Sequence, residues 1–164
     1  MSAAKANEIG GNLETAETGS DAQSSDWTNA DVERQNVAVV QGAYEAVGRG
    51  DIPALLDLLA EDVEWTLQGP AMIPFAGPRY GRAGVSEFFS QVESTIEFLQ
   101  FEPRTFVAQG DTIVVLGYEH NRMKPTGRTF QQEWAHVYTL RDGKIATGRF
   151  FEDTGAYVAA LDAG

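Results

Sequence analysis

Apolar residues recur at helical spacing in the first part of the chain and at a spacing of two in the second, and that change of period divides the sequence. Val32, Val40, Ala43, Tyr44 and Val47 fall near one face of a helix that Thr28 or Asn29 caps and Gly50 ends. Asp51 caps a second, shorter helix in IPALLDLLA. Val63, Trp65 and Leu67 alternate and predict a strand. GPAMIPFAGPRYG holds three prolines and three glycines and reads as a loop, apolar enough to cover a cavity mouth or to be an ordinary connection. A third helix spans about residues 83–93 and buries Val85, Phe88, Phe89 and Val92. Strands follow near 98–108, 112–123, 129–141 and 145–152, and a last helical turn or two begins after Asp153. Helices followed by a meander of long strands make an α+β domain, a curved antiparallel sheet with helices over one face. Residues 1–30 are small and polar with Trp27 their single aromatic, so they read as a flexible tail before a domain at 31–164.

The turns set the expected register. In KPTGR, Pro125 suits the first corner of a type I turn and Gly127 a left-handed bulge position, a three-residue loop that pairs Lys124 with Arg128. In RDGK, Asp142-Gly143 signals a type I′ turn that pairs Arg141 with Lys144. Counting from both turns puts Tyr118, Trp134 and Phe151 in one row. It puts Leu116, His136 and Arg149 in the next, and Val114, Tyr138 and Thr147 in a third. Gln131, Glu133, Ala135 and Val137 then take the other face, toward solvent or a second subunit. Because side chains alternate strictly, a slip of one residue overturns these rows.

A net charge of −12 repels phosphate backbones and anionic lipid, so nucleic acid is not an expected partner. No apolar run is long enough to span a membrane as a helix. MSAAKANEIGG lacks the basic head and apolar stretch of a secretory leader, and with no cysteine in the chain a cytoplasmic address fits. Two histidines without metal-ligand spacing give no expected metal site, and no cofactor motif is present.

LDLLAEDVEW, PFAGPRYGRAGVSEFF, and HVYTLRDGKI followed by FFEDTGAYVAAL resemble a SnoaL-like domain, over about residues 32–161. Such domains belong to the nuclear transport factor 2-like, ketosteroid isomerase-like superfamily. The resemblance implies a cone: a bent sheet with three N-terminal helices on its concave face, a deep apolar pocket, and a homodimer formed through the sheet. Its members include ketosteroid isomerases, polyketide cyclases, epoxide hydrolases and dehydratases, and proteins with no known reaction. The isomerases use an aspartate base on the first strand, a tyrosine on the first helix and a protonated aspartate on a late strand. The matching positions are Thr66 or Leu67, Ala43 with Tyr44 one place off, and His136, so ketosteroid isomerisation is disfavoured. Arg149 and Asp153 only partly echo the hydrolase arrangement. The cyclases' acid/base role falls on Asp153 or His136.

Each candidate has two readings. His136 is a general acid/base or a hydrogen-bonded pocket residue. Arg149 holds a ligand oxygen or pairs with Asp153 or Glu64. Asp153 is a pocket base or the cap of the last helix. Tyr44, Trp65, Phe89, Tyr118, Trp134, Tyr138 and Phe151 line a pocket or pack a core. The functional expectation is a pocket for a small hydrophobic molecule, with cofactor-independent acid/base chemistry of the cyclase, isomerase or dehydratase type. Its alternative is a non-catalytic ligand-binding or dimerisation module.

Overall fold

The computed structural model describes residues 20–164, with side chains from Asn29 onward. Helix α1 (Ser20–Gly48) starts well before Thr28, so the expected cap lies within the helix. The tail reading for residues 1–19 lies outside the described residues. Helix α2 (Ile52–Asp57) begins as expected, with the Asp51 side chain accepting from Ala54 N.

Strands β1 (Leu59–Leu67), β2 (Gly77–Tyr80), β3 (Ile96–Gln109), β4 (Thr112–Met123), β5 (Thr129–Arg141) and β6 (Lys144–Phe151) form one curved, unclosed sheet in the order β2-β1-β6-β5-β4-β3. The sheet is antiparallel except where β1 meets β6 in parallel. Strand β2 corrects the loop reading: Gly77–Tyr80, at the end of the proline-rich stretch, pairs with Glu64–Leu67. Helix α3 (Gly81–Thr95) turns Val85, Phe88 and Val92 inward, and α4 (Thr154–Leu161) buries Tyr157 and Ala160. The remainder of the loop is anchored by Ile73 and Phe75. The Phe75 ring meets Phe88 and Tyr157 edge-on.

One hairpin departs from expectation by one residue, and that reverses β4. The turn is a four-residue loop, Lys124–Gly127, closed by Gly127 N donating to Met123 O and Met123 N to Arg128 O. Gly127 takes the expected left-handed conformation. The register is therefore Gly117 beside Trp134 and Val115 beside His136. Ile113, Val115, Gly117, Glu119, Asn121 and Met123 face the core, and Leu116 and Tyr118 the convex side.

The second hairpin is the expected one at its tip. Asp142 and Gly143 both have positive φ, as a type I′ turn requires, and Arg141 pairs with Lys144. A bulge between Thr139 and Leu140 then shifts the pairing, so His136 lies beside Phe150 and Val137 beside Arg149.

Candidate functional site

On β5, Trp134, His136 and Tyr138 all point to the concave side and are buried. The indole of Trp134 and the imidazole of His136 stack with centroids 3.9 Å apart, and Phe101 also stacks with the indole, at 5.1 Å. Phe150 meets the imidazole edge-on at 4.7 Å. A strand can bury an ionisable ring in this way only if both ring nitrogens find partners.

They do. Tyr44, projecting from α1, places its hydroxyl 2.8 Å from His136 Nδ1, and Tyr138 donates to the Tyr44 oxygen at 2.9 Å. The hydrogen of Tyr44 is thus free for Nδ1, which leaves the ring hydrogen on Nε2, 3.1 Å from Glu152 Oε1. Glu152, just past the end of β6, also accepts from the Tyr157 hydroxyl of α4 at 2.7 Å. That hydroxyl lies 2.9 Å from Glu119 Oε1, which accepts from Gln132 Nε2 as well. Gln132 Oε1 in turn accepts from the backbone N–H of Asp153. Six side chains from α1, β4, β5, α4 and the segment after β6 thus form one largely buried chain, half-buried at Tyr44: Tyr138, Tyr44, His136, Glu152, Tyr157, Glu119.

The electrostatics follow from burial. Desolvation lowers the His136 pKa against the raising effect of Glu152, so the ring stays neutral with an available Nδ1 lone pair. Desolvation raises Tyr44, Tyr138 and Tyr157 above the usual phenol range, so all three are hydrogen-bond donors in the resting protein. Glu119 is pushed up to about 7, first by desolvation and second by the charge of Glu152.

The sequence-based candidates divide. His136, Trp134, Tyr138, Trp65 and Tyr44 meet in the concave interior, and Phe89 packs at its edge against Trp65 and Phe88. Arg149, Phe151 and Tyr118 do not. The shifted registers turn them to the convex face, where Arg149 lies 5.3 Å over the exposed Phe151 ring and Arg104 lies 4.7 Å over Tyr118. Arg149 therefore cannot stand beside the imidazole. Asp153 is exposed, and its carboxylate accepts from Ala156 N at 3.2 Å, the N-cap bond of α4. Asp153→Ala should accordingly cost about 1 kcal/mol in denaturant unfolding and leave the His136 contacts unchanged. Glu152, Glu119, Tyr157 and Gln132 were missed. The signals for Gln132, Glu119 and Glu152 were polar residues on β5, on β4 and just past β6; those of Glu119 and Glu152 turn inward only once the register is corrected, and Tyr157 stood unmarked in the last helix.

The concavity itself is filled by rings. Trp65 packs on Phe150 at 4.7 Å, and Tyr44, Phe101 and Phe106 close the edge between α1 and β3, where they are half-buried. Trp134 Nε1 and Trp65 Nε1 are buried there with no hydrogen-bond partner among the described residues. Two surface hollows, each about 500 Å³, open to solvent, and neither is lined by His136, although Trp134 borders the first. One is on the convex face beside Arg104, Leu116, Glu133 and Phe151. The other lies between α1 and the end of β3, beside Glu33, Arg34 and Val37.

The model of the SnoaL-like domain matches residues 40–147, more than half of the chain. The chain belongs to the SnoaL-like domain family. Its fold is shared with a nuclear transport factor 2-like protein from Burkholderia xenovorans LB400 (35% identity, 79% of this chain and 98% of the other, TM-score 0.74). A nuclear transport factor 2-like protein of unknown function from Burkholderia pseudomallei K96243 is similar too (30%, 79% and 98%, TM-score 0.73). So is TerC, co-crystallised with polyporic acid (28%, 77% and 97%, TM-score 0.70). No curated protein matches the chain. In this SnoaL-like domain no helix among the described residues is long and apolar enough to cross a membrane.

Proposed function

We propose that this SnoaL-like domain is a cofactor-independent acid/base catalyst for a small, apolar, oxygen-bearing molecule, with Tyr44, His136 and Glu152 as its proton relay. The observation that carries the reading is the buried sequence of hydrogen bonds from Tyr44 through both nitrogens of His136 to Glu152. A proton leaving the substrate moves to the Tyr44 oxygen as the Tyr44 hydrogen passes to His136 Nδ1, and Glu152 neutralises the imidazolium that results. Tyr138 donates into the same oxygen and stabilises the charge that develops on it. Return of the proton at another atom gives isomerisation; loss of a leaving group gives dehydration; attack on a second carbonyl gives cyclisation. The ligand enters at the half-buried edge of Tyr44, Phe101 and Phe106, and the orphan N–H of Trp134 is available to a ligand oxygen. The similarity to a protein crystallised with polyporic acid supports a ligand of this size and kind.

Ligands are found by their effect on melting temperature, starting with polyporic acid and a panel of apolar ketones, and those that bind are assayed for product. His136→Ala should lower turnover by about 10²-fold or more while binding persists. Unchanged turnover would remove the reading.

The filled concavity favours a second reading, a non-catalytic domain whose rings are simply its core. It predicts that no member of the panel raises the melting temperature. For either reading we propose a homodimer through the convex face, where Leu116 and Phe151 lie exposed between Arg104, Arg149 and Glu133. A Leu116→Glu, Phe151→Glu variant should run as a monomer in light scattering if so.

A further inference from the structure

We propose that Glu119 is a positioning residue that acts on His136 at a distance, through Tyr157 and Glu152. It hydrogen-bonds to neither the imidazole nor Tyr44. Among the described residues its hydrogen-bonded route to them is the Tyr157 hydroxyl, which lies 2.9 Å from Glu119 Oε1 and 2.7 Å from Glu152 Oε2. A phenol has one hydrogen, so it can serve only one of two carboxylates. When Glu119 carries a proton, every donor in the chain points toward Glu152: Glu119 O–H to Tyr157, Tyr157 O–H to Glu152, and His136 Nε2–H to Glu152 from the other side. When Glu119 loses that proton, two buried negative charges compete for one hydroxyl hydrogen. Glu152 then holds its remaining partner, the imidazole N–H, more strongly, and the ring becomes more basic at Nδ1.

The groups around Glu119 favour this coupling. Gln132 of β5 donates to it and is itself fixed by Asp153 N. Asn121 lies on the same face of β4, and Tyr157 comes from α4. Among the described residues, no cation hydrogen-bonds to Glu119 or Glu152 other than a protonated His136. Glu119 is 1% exposed, so solvent does not screen its charge from the neighbouring hydroxyl and carboxylate. Burial and the charge of Glu152 raise its pKa to about 7, which puts the change of state in the working range.

This deepens the acid/base reading of the same site, but its test needs no turnover. The chain has two histidines, so the ¹⁵N resonances of His136 and His120 can be followed separately by NMR across a pH titration. His120 faces the convex side and is the internal reference. In the wild type the His136 resonances should show an inflection near the pH at which Glu119 titrates, with the hydrogen on Nε2 throughout. Glu119→Gln should abolish that inflection and keep the tautomer. Tyr157→Phe, which removes the bridge but keeps the ring, should abolish it as well. A His136 titration identical in wild type and Glu119→Gln overturns the proposal, and so does an inflection that survives Tyr157→Phe. Coupled titration without catalysis would keep this inference and remove the acid/base reading.

Discussion

Gly117→Ala should destabilise the protein by an amount at the upper end of the roughly 1–3 kcal/mol typical of core overpacking. Gly117 has no unusual φ, so backbone conformation is not the reason. Its place in the register is. It faces the core directly opposite Trp134, and an added Cβ would lie 2.5 Å from Trp134 Cε2 and closer still to Cζ2 and Cη2. The indole cannot shift without disturbing its stacking partners, Phe101 and His136. Any shift is passed to the imidazole, so the variant should also weaken the contact between Tyr44 and His136. Urea unfolding measures the loss. A Gly117→Ala, Trp134→Leu double variant should recover part of it, which a cost arising anywhere else would not allow.

Glu119→Gln should change the pH dependence of stability strongly. Glu119 is raised from 4.5 to about 7, so the folded chain keeps a proton that the unfolded chain gives up in that window. The stability tied to that proton is present below 4.5 and lost as pH rises to about 7, a total of about 3 kcal/mol at most. His136 runs the other way. Its pKa is lowered by burial, so its contribution is present above 6.5 and lost as pH falls. The two slopes oppose each other. Removing the carboxyl leaves only the rising limb, so Glu119→Gln should gain on the wild type between about pH 5 and about pH 8 by up to about 3 kcal/mol. Denaturant midpoints at the two pH values check it; parallel curves would mean that Glu119 does not hold its proton in the folded state.

The inward placement of His136 was legible because Trp134, His136 and Tyr138 alternate within a single strand, and that reading depends on no neighbour. What lay beside His136 was not legible, because it depended on two hairpins. KPTGR supports a three- or a four-residue loop with the same left-handed Gly127, and the choice moves every side chain of β4 to the other face. Both faces of β4 carry apolar residues, so hydrophobicity did not arbitrate. The DG turn was correctly read, yet a bulge two residues beyond it moved Arg149 and Phe151 outward, and nothing in the local sequence marks that bulge. The best available clue was Gly117: a glycine in mid-strand signals a bulky neighbour across the sheet, which Trp134 is. Tyr44 was placed one position from the isomerase tyrosine, but the helix turns both Ala43 and Tyr44 toward the core, and the hydroxyl reaches His136.

The most direct measurement is the rate at which the protein exchanges the α-protons of a bound apolar ketone for deuterium in D₂O. If Tyr44, His136 and Glu152 act as a relay, the wild type accelerates exchange, and Tyr44→Phe, His136→Ala and Glu152→Gln each lose about 10²-fold or more while ligand still raises the melting temperature. Exchange no faster than in buffer, or as fast in all three variants as in the wild type, would contradict it.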